Sequence, residues 1–337
     1  MQIAVAVEVV LEDEFDKNSL YKKVSESDFS SKTYSASEIS YNNYDELAQK
    51  ALDEGIELVI TDSEKDIFNG IVEILKSYGL ECIGTNRKYS RLGSSKLFAK
   101  RFLNKYDIPY LRKVEFEDIT FPVVLKKDFS NECHLIFSQK ELNEKTLNQD
   151  DFIEEFITGD EISVTSFYNS EKLINFEPVK IHKKDFDNIG SSCPVYISYE
   201  QYDKLQNYLT KFEHALLEDD ADFKGFITSN LVWNGREWIV VNFQINIGNS
   251  TLLNHLESDL LATILYSTKQ KYKEKTTGSV VVQNPKSNFK IFPNDDIKIY
   301  NDEENQQLTL STTADFPFRD IETFLKKIPE LKYPVIY

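Results

Sequence analysis

The chain has 337 residues, 41% of them hydrophobic and 28% charged, with only 11 Gly and 9 Pro, a folding composition that excludes collagen-like, low-complexity and wholly disordered proteins. Its 39 basic and 56 acidic residues give a formal net charge of −17, which argues against a broad nucleic-acid-binding surface because phosphate contacts need basic patches. A local basic pocket for an anionic nucleotide stays open, and the length suggests two or three structural units at about 150 residues each.

Residues 3–10 read as a buried strand. The polar stretch 17–43 is a connection whose order the sequence leaves open. Residues 44–54 have helical spacing (Leu47, Ala51, Leu52) and stop at Gly55, a good helix terminator. Leu58-Val59-Ile60 is a short apolar run of the kind found in buried parallel strands. Residues 67–78 predict one amphipathic helix (Ile67, Ile71, Ile74, Leu75) closed by Gly79, and Cys82-Ile83-Gly84 ends another strand. Strands alternating with helices point to a parallel sheet covered by helices.

A helix is expected over residues 94–106, stopped before Ile108-Pro109. Strands are expected at 121–126, 135–137 and 152–156, and residues 162–168 alternate as an antiparallel strand does. Residues 202–218 read as a helix. Strands at 226–231 and 238–247 flank Asn234-Gly235, a strong hairpin signal. A helix over 252–266 follows, then short strands at 279–283, 297–300 and 307–311 and a last helix near 321–327. No internal repeat is visible.

Single motifs carry little. There is no phosphate-binding loop with a Lys-Ser/Thr ending and no glycine fingerprint after the first strand. The histidines (His134, His182, His214, His255) lack metal-ligand spacing and read as structural or surface groups. Cys82, Cys133 and Cys193 are widely spaced and odd in number, so neither a disulfide framework nor a zinc pair follows, and reduced thiols in a cytoplasmic protein fit best. No run approaches the roughly 18 apolar residues of a membrane helix, and the N-terminus lacks the basic lead and cleavage site of a signal peptide.

The order of the stretches says more. Residues 58–60 and 70–75, then Ile83-Gly84, then Leu92-Gly93-Ser94-Ser95-Lys96-Leu97-Phe98-Ala99-Lys100 and Tyr106-Asp107-Ile108-Pro109, resemble the glycinamide ribonucleotide synthetase (phosphoribosylamine–glycine ligase) family of purine biosynthesis, which has an ATP-grasp fold. The likeness continues through Phe121-Pro122-Val123-Val124-Leu125-Lys126, residues 152–161, Glu257-Ser258-Asp259-Leu260-Leu261 and the terminal 324–337. It implies an α/β protein in three parts: an N-terminal parallel α/β (pre-ATP-grasp) domain at 1–92, an ATP-grasp domain of two subdomains at 93–270, and a small β-rich C-terminal domain at 271–337.

By that resemblance, Lys96 and Lys126 stand where two lysines neutralise the phosphates of ATP, a role suited to a compact ammonium charge. Glu154, Glu155, Phe156 and Ile157 match the hinge whose backbone meets adenine, and Glu161 matches the carboxylate on the ribose. Glu64 takes the place of a glutamate lining the phosphoribosylamine pocket, although Asp62 and Ser63 replace its usual Gly and Pro neighbours. The family's Glu-x-Asn magnesium site and following arginine align with Asn242, Gln244 and Asn246, all neutral, which sets magnesium in doubt because that ion wants carboxylate oxygen. The glycine-rich turn after strand one is replaced by Val7-Glu8-Val9-Val10-Leu11-Glu12. The glycine-rich loop after Lys126 is replaced by Lys127-Asp128-Phe129-Ser130-Asn131-Glu132-Cys133-His134, and a later loop is shortened to Ile189-Gly190-Ser191-Ser192-Cys193.

The implied reaction is ATP-dependent joining of a carboxylate to an amine, expected to be weakened or lost. Two other readings stay open: a non-catalytic nucleotide-binding or partner-subunit paralogue, and a ligase with a changed substrate. The expected ligand is a small-molecule nucleotide. Nucleic acid and membrane are not expected, and a protein partner or a second copy of the chain is left open.

Overall fold

The computed structural model describes residues 3–8, 19–35, 41–130, 132–184, 187–247, 250–283, 297–302 and 307–326. The strand β1 (Ile3–Glu8) lies between β2 (Ser30–Ser35) and β3 (Leu58–Thr61), and β4 (Glu81–Ile83) completes a parallel sheet in the order β2-β1-β3-β4. All four positions of β3 are buried, which explains the apolar run Leu58-Val59-Ile60. The helices α2 (Tyr44–Asp53), α3 (Glu64–Asn69) and α4 (Ile71–Ser77) cover one face, where Leu47, Ala51, Ile67, Ile71 and Leu75 meet Val59 and Cys82. On the other face α1 (Ser19–Ser25) buries Leu20 and Val24 near Leu58 and Ile60. Within 17–43, therefore, residues 19–35 contribute a helix and a strand. Residues 9–10 of the expected first strand, and the segment from 327 onward, lie outside the described residues.

The single helix expected over 67–78 is two. Gly70 adopts a left-handed φ of 95°, ends α3 and begins α4, while the Ser63 side chain starts α3 by accepting from the Asp66 amide. Similarly, the helix expected over 252–266 divides into α9 (Ser250–His255) and α10 (Leu260–Tyr266). Between them Leu256 bridges to Tyr272 and the Glu257 amide bonds the Lys271 carbonyl, after which Asp259 caps the restart. Tertiary pairing here outweighs helical periodicity.

The helix α5 (Arg87–Ser94) has no counterpart in the sequence expectations, and it leads directly into α6 (Lys96–Lys105), capped by Ser95. A small antiparallel sheet follows in the order β6-β5-β7, from β5 (Val123–Lys127), β6 (Cys133–Ile136) and β7 (Asp151–Glu155), with the short α7 (Gln139–Asn143) between the last two. The rest of the chain builds a large antiparallel sheet from β8 (Glu161–Asn169), β9 (Leu173–Asn175), β10 (Val179–Lys184), β11 (Asp187–Cys193), β12 (Lys224–Trp233), β13 (Trp238–Gln244), β14 (Thr277–Gln283), β15 (Lys298–Asp302) and β16 (Gln307–Thr313). Its order is β13-β12-β8-β10-β11-β14-β16-β15, with β9 paired beside β8. The hairpin β10–β11 was not expected, and the residues read as a shortened loop at 189–193 are strand. The strand β8 alternates as expected, yet seven of its nine positions are buried. Its polar residues face the interior because Thr165 finds Thr228 at 2.9 Å and Ser166 finds Asn175 at 2.7 Å.

The long helix α8 (Tyr199–Glu218), begun by a Ser198–Gln201 capping box, packs Leu205, Tyr208, Phe212 and Leu216 on this sheet, and α11 (Pro317–Leu325) covers β14 and β16. No helix among the described residues is long and apolar enough to cross a membrane.

The parallel sheet joins the large one at a point of close backbone contact. The Gly84 amide donates to the Lys224 carbonyl at 2.7 Å, and a Cβ on Gly225 would lie 2.6 Å from the Thr85 nitrogen and 2.7 Å from the Gly84 carbonyl carbon. Backbone cannot swing aside as a side-chain tip can. Gly225→Ala is therefore expected to lower stability by about 1–3 kcal/mol, read from the urea midpoint; an unchanged midpoint would show that this junction yields freely.

Candidate active-site cleft

The two antiparallel sheets are joined edge to edge by one extended segment. Leu111 and Pro109 exchange backbone hydrogen bonds with Val240 of β13, and a few residues later Arg112 and Val114 do the same with Glu155 and Ile153 of β7. Beside this strap, α6 presents Lys96 and Lys100 on one face, four residues apart.

Glu154 is 1% exposed and lies between two ammonium groups, Lys100 at 2.5 Å and Lys126 at 2.5 Å. Both lysines are themselves nearly buried, at 12% and 10% exposure. Lys100 also donates to the Leu111 carbonyl and lies over the rings of Tyr110 and Phe152, at 5.4 Å and 5.8 Å. Burial lowers the pKa of Lys100, opposed by Glu154. Two cations on one anion leave the group net positive. Lys96 adds a third cation; its pKa is lowered by burial and then by Lys126, and its ammonium donates to the Ser130 carbonyl.

The loop after Lys126 is tied down rather than free. Asp128, 7% exposed, accepts from the Ser95 hydroxyl at 2.9 Å and from the Leu97 amide at 3.2 Å, so its carboxylate sits on the first turn of α6. Phe129, at a φ of 55°, meets Phe68 of α3 edge-on with centroids 6.2 Å apart.

A cleft of about 400 Å³ opens between α5, α6 and β13. Glu64, Lys96, Lys100, Asn242, Gln244 and Asn246 are among its polar lining residues, and Leu92, Ala99, Leu103 and Phe243 among its apolar ones. The β3–α3 turn supplies two acids to the end of β13. Asp62 accepts from the Ile247 amide at 2.8 Å, and Glu64 from the Ile245 amide at 2.8 Å. Burial pushes Asp62 from the usual 3.8 up to about 7, opposed by the Ile247 amide, and raises Glu64 as well.

Four of the sequence-derived candidates, Glu64, Lys96, Asn242 and Gln244, thus share this cleft. Lys126 and Glu154 connect to it through Lys100. Glu155, Phe156, Ile157 and Glu161 are not among its lining residues. The Glu155 carboxylate accepts from the Arg112 amide at 2.8 Å, Ile157 packs near Leu111 and Val232, and Glu161 pairs with Lys183 at 2.6 Å. Sequence reasoning passed over Lys100, Asp62 and Asp128. The four-residue interval from Lys96 was the available signal for Lys100; nothing local marked the other two.

Two outcomes are expected. Glu154→Gln leaves two buried ammonium groups without a countercharge and should cost about 3–5 kcal/mol in chemical denaturation. For Asp62, the folded pKa exceeds the unfolded one, so the folded state holds the extra proton between about 4 and 7 and stability falls as pH rises through that window. Asp62→Asn should flatten this slope in thermal melts across the window; an unchanged slope would remove Asp62 as its source.

No protein-family model matches the chain. It is 27% identical over 263 residues to a phosphoribosylamine–glycine ligase of Fusobacterium nucleatum, an alignment that takes in 67% of this chain and 62% of that relative. The chain thus spans a little over three-fifths of the length of the curated relatives it matches. The crystal structure of the phosphoribosylamine–glycine ligase of Thermotoga maritima superposes with a TM-score of 0.73 at 15% identity, over 99% of this chain and 98% of that one. An N5-carboxyaminoimidazole synthase from Aspergillus clavatus, solved with ADP and 5-aminoimidazole ribonucleotide, gives 0.65 at 13% identity over 98% of each chain. The parallel sheet, the small sheet and the large antiparallel sheet are the ATP-grasp architecture, and in sequence the chain is similar to phosphoribosylamine–glycine ligases over about two thirds of its length.

Proposed function

We propose that this chain is an ATP-grasp protein of the carboxylate–amine ligase kind that binds a nucleotide by its phosphates and whose phosphoryl transfer is weakened or lost. The observation that carries this reading is the neutral row Asn242, Gln244 and Asn246 in the lining of a cleft that Lys96 and Lys100 also line.

Lysine ammonium groups suit phosphate oxygens, and the cluster of Lys96, Lys100 and Lys126 keeps a net positive charge after Glu154 is counted. Lys96, the one of the three without a carboxylate at ion-pair distance among the described residues, is best placed to meet a phosphate. Magnesium fits less well. That ion seeks carboxylate oxygens in a near-octahedral set. Glu64 is the acid on the cleft wall; it already accepts the Ile245 amide, and burial favours its neutral form. Asn242 Oδ1 accepts from Asn230 at 2.8 Å. Asn246 Oδ1 is buried with no hydrogen-bond partner among the described residues, yet an amide oxygen supplies no countercharge. A magnesium ion held at Asn242, Gln244 and Asn246 would supply charge to offset the phosphates, but this donor set does not balance a divalent ion, and charge stabilisation at a transferring phosphoryl group would fall to the lysines alone.

The test compares ATP alone with ATP plus magnesium. ATP at a hundredfold excess over its Kd should stabilise the protein by about 2.7 kcal/mol, magnesium should add nothing, and Lys96→Ala should abolish the shift. With glycine and phosphoribosylamine present, ADP should not accumulate. Magnesium-dependent ADP release that Lys96→Ala removes would overturn the loss of catalysis. The absence of stabilisation by ATP in either condition would remove the nucleotide from the proposal and leave a partner-subunit role.

A further inference from the structure

A second group of reactive side chains lies outside the cleft and plays no part in the reading above. Glu177 follows β9, Cys193 ends β11 and His255 ends α9, and their ligating atoms all lie within 4.8 Å of one another. Glu177 Oε2 is 3.4 Å from His255 Nε2 and 3.7 Å from Cys193 Sγ. Zinc bonds of about 2.3 Å to sulfur and 2.0–2.2 Å to nitrogen and oxygen in a tetrahedron require ligand edges of about 3.3–3.7 Å. The two spacings from Glu177 match those edges, and the third, between Cys193 and His255, is within 4.8 Å.

We propose that Glu177, Cys193 and His255 form a zinc site, with water completing the tetrahedron. The charge balances where that of the cleft does not, since one thiolate and one carboxylate neutralise a divalent ion. Cys193 and His255 are 0% and 1% exposed, which holds them rigidly. Glu177, with its side chain 28% exposed, provides the path to solvent. The histidine is already oriented for the task. Its Nδ1 lies 3.0 Å from the hydroxyl of Thr277, which lies 2.7 Å from that of Thr313, so a proton on Nδ1 donated to Thr277 leaves Nε2 free to ligate. The ring of Tyr272 stacks on the imidazole at 5.8 Å, and its hydroxyl accepts from the Glu177 amide at 2.9 Å. These contacts hold the imidazole from behind and anchor the backbone at Glu177.

Binding replaces the Cys193 S–H bond with an S–Zn bond and releases that proton to solvent. Without metal the thiol stays protonated, because burial and the Glu177 carboxylate push it well above its usual range. It then donates to Glu177 and to the Pro178 carbonyl at 3.4 Å.

The experiment strips the full-length chain with chelator and titrates zinc against a chromogenic competitor, then repeats the titration with cobalt to detect the thiolate charge-transfer band. One ion per chain and the band are expected. Cys193→Ser should lose both, Glu177→Gln should weaken binding at least tenfold while remaining folded by circular dichroism, and Thr277→Val should weaken it about 10- to 100-fold. Cys133→Ala, which removes the exposed thiol, should change neither. The proposal is overturned if the wild-type chain binds no zinc, if Glu177→Gln binds as tightly as wild type, or if only Cys133→Ala loses the ion. Should Cys193→Ser fail to fold, the wild-type cobalt spectrum and Glu177→Gln still decide.

Discussion

A carboxylate removed from water between two ammonium groups anchors the centre of this molecule. Glu154 of β7 meets Lys126 of β5 and Lys100 of α6, and Lys100 also holds the strap that pairs with the edges of both antiparallel sheets. Desolvating such charges costs several kcal/mol each and is recovered only when their geometry is held. The helix, two strands and the strap must therefore keep one arrangement, and the cleft between α6 and β13 takes its shape from that arrangement.

A second constraint acts at the far end of the same strand. Asp62 and Glu64 reach from the parallel sheet to the backbone amides of Ile247 and Ile245. These acids are thereby turned toward peptide N–H groups instead of a cation or a substrate. The amide side chains of Asn242, Gln244 and Asn246 are left as the polar surface of β13. Asp128 is diverted in the same manner, to the first turn of α6. The site thus retains cations and spends its nearby anions on structure.

The trio of Glu177, Cys193 and His255 has the opposite charge character. Two potential anions and an imidazole converge where three separate elements end, backed by the threonine pair Thr277 and Thr313 and by Tyr272. One chain therefore has a cleft short of countercharge for a divalent ion and a separate corner in which that countercharge is complete.

The residue order alone determined much of the architecture. Apolar runs such as Leu58-Val59-Ile60, helical spacing closed by glycine as at Gly55, the Asn234-Gly235 hairpin and the sequence of stretches around Lys96 and Lys126 disclosed the strands, helices and family likeness, because these signals act over a few neighbouring residues. The breaks at Gly70 and after His255, the β10–β11 hairpin, the partnership of Lys100 with Glu154 and the meeting of Cys193 with His255 were decided by tertiary structure. Each depends on groups distant in the chain that become neighbours only when the sheets close, and local periodicity carries no record of which distant charge or backbone group will arrive to satisfy them.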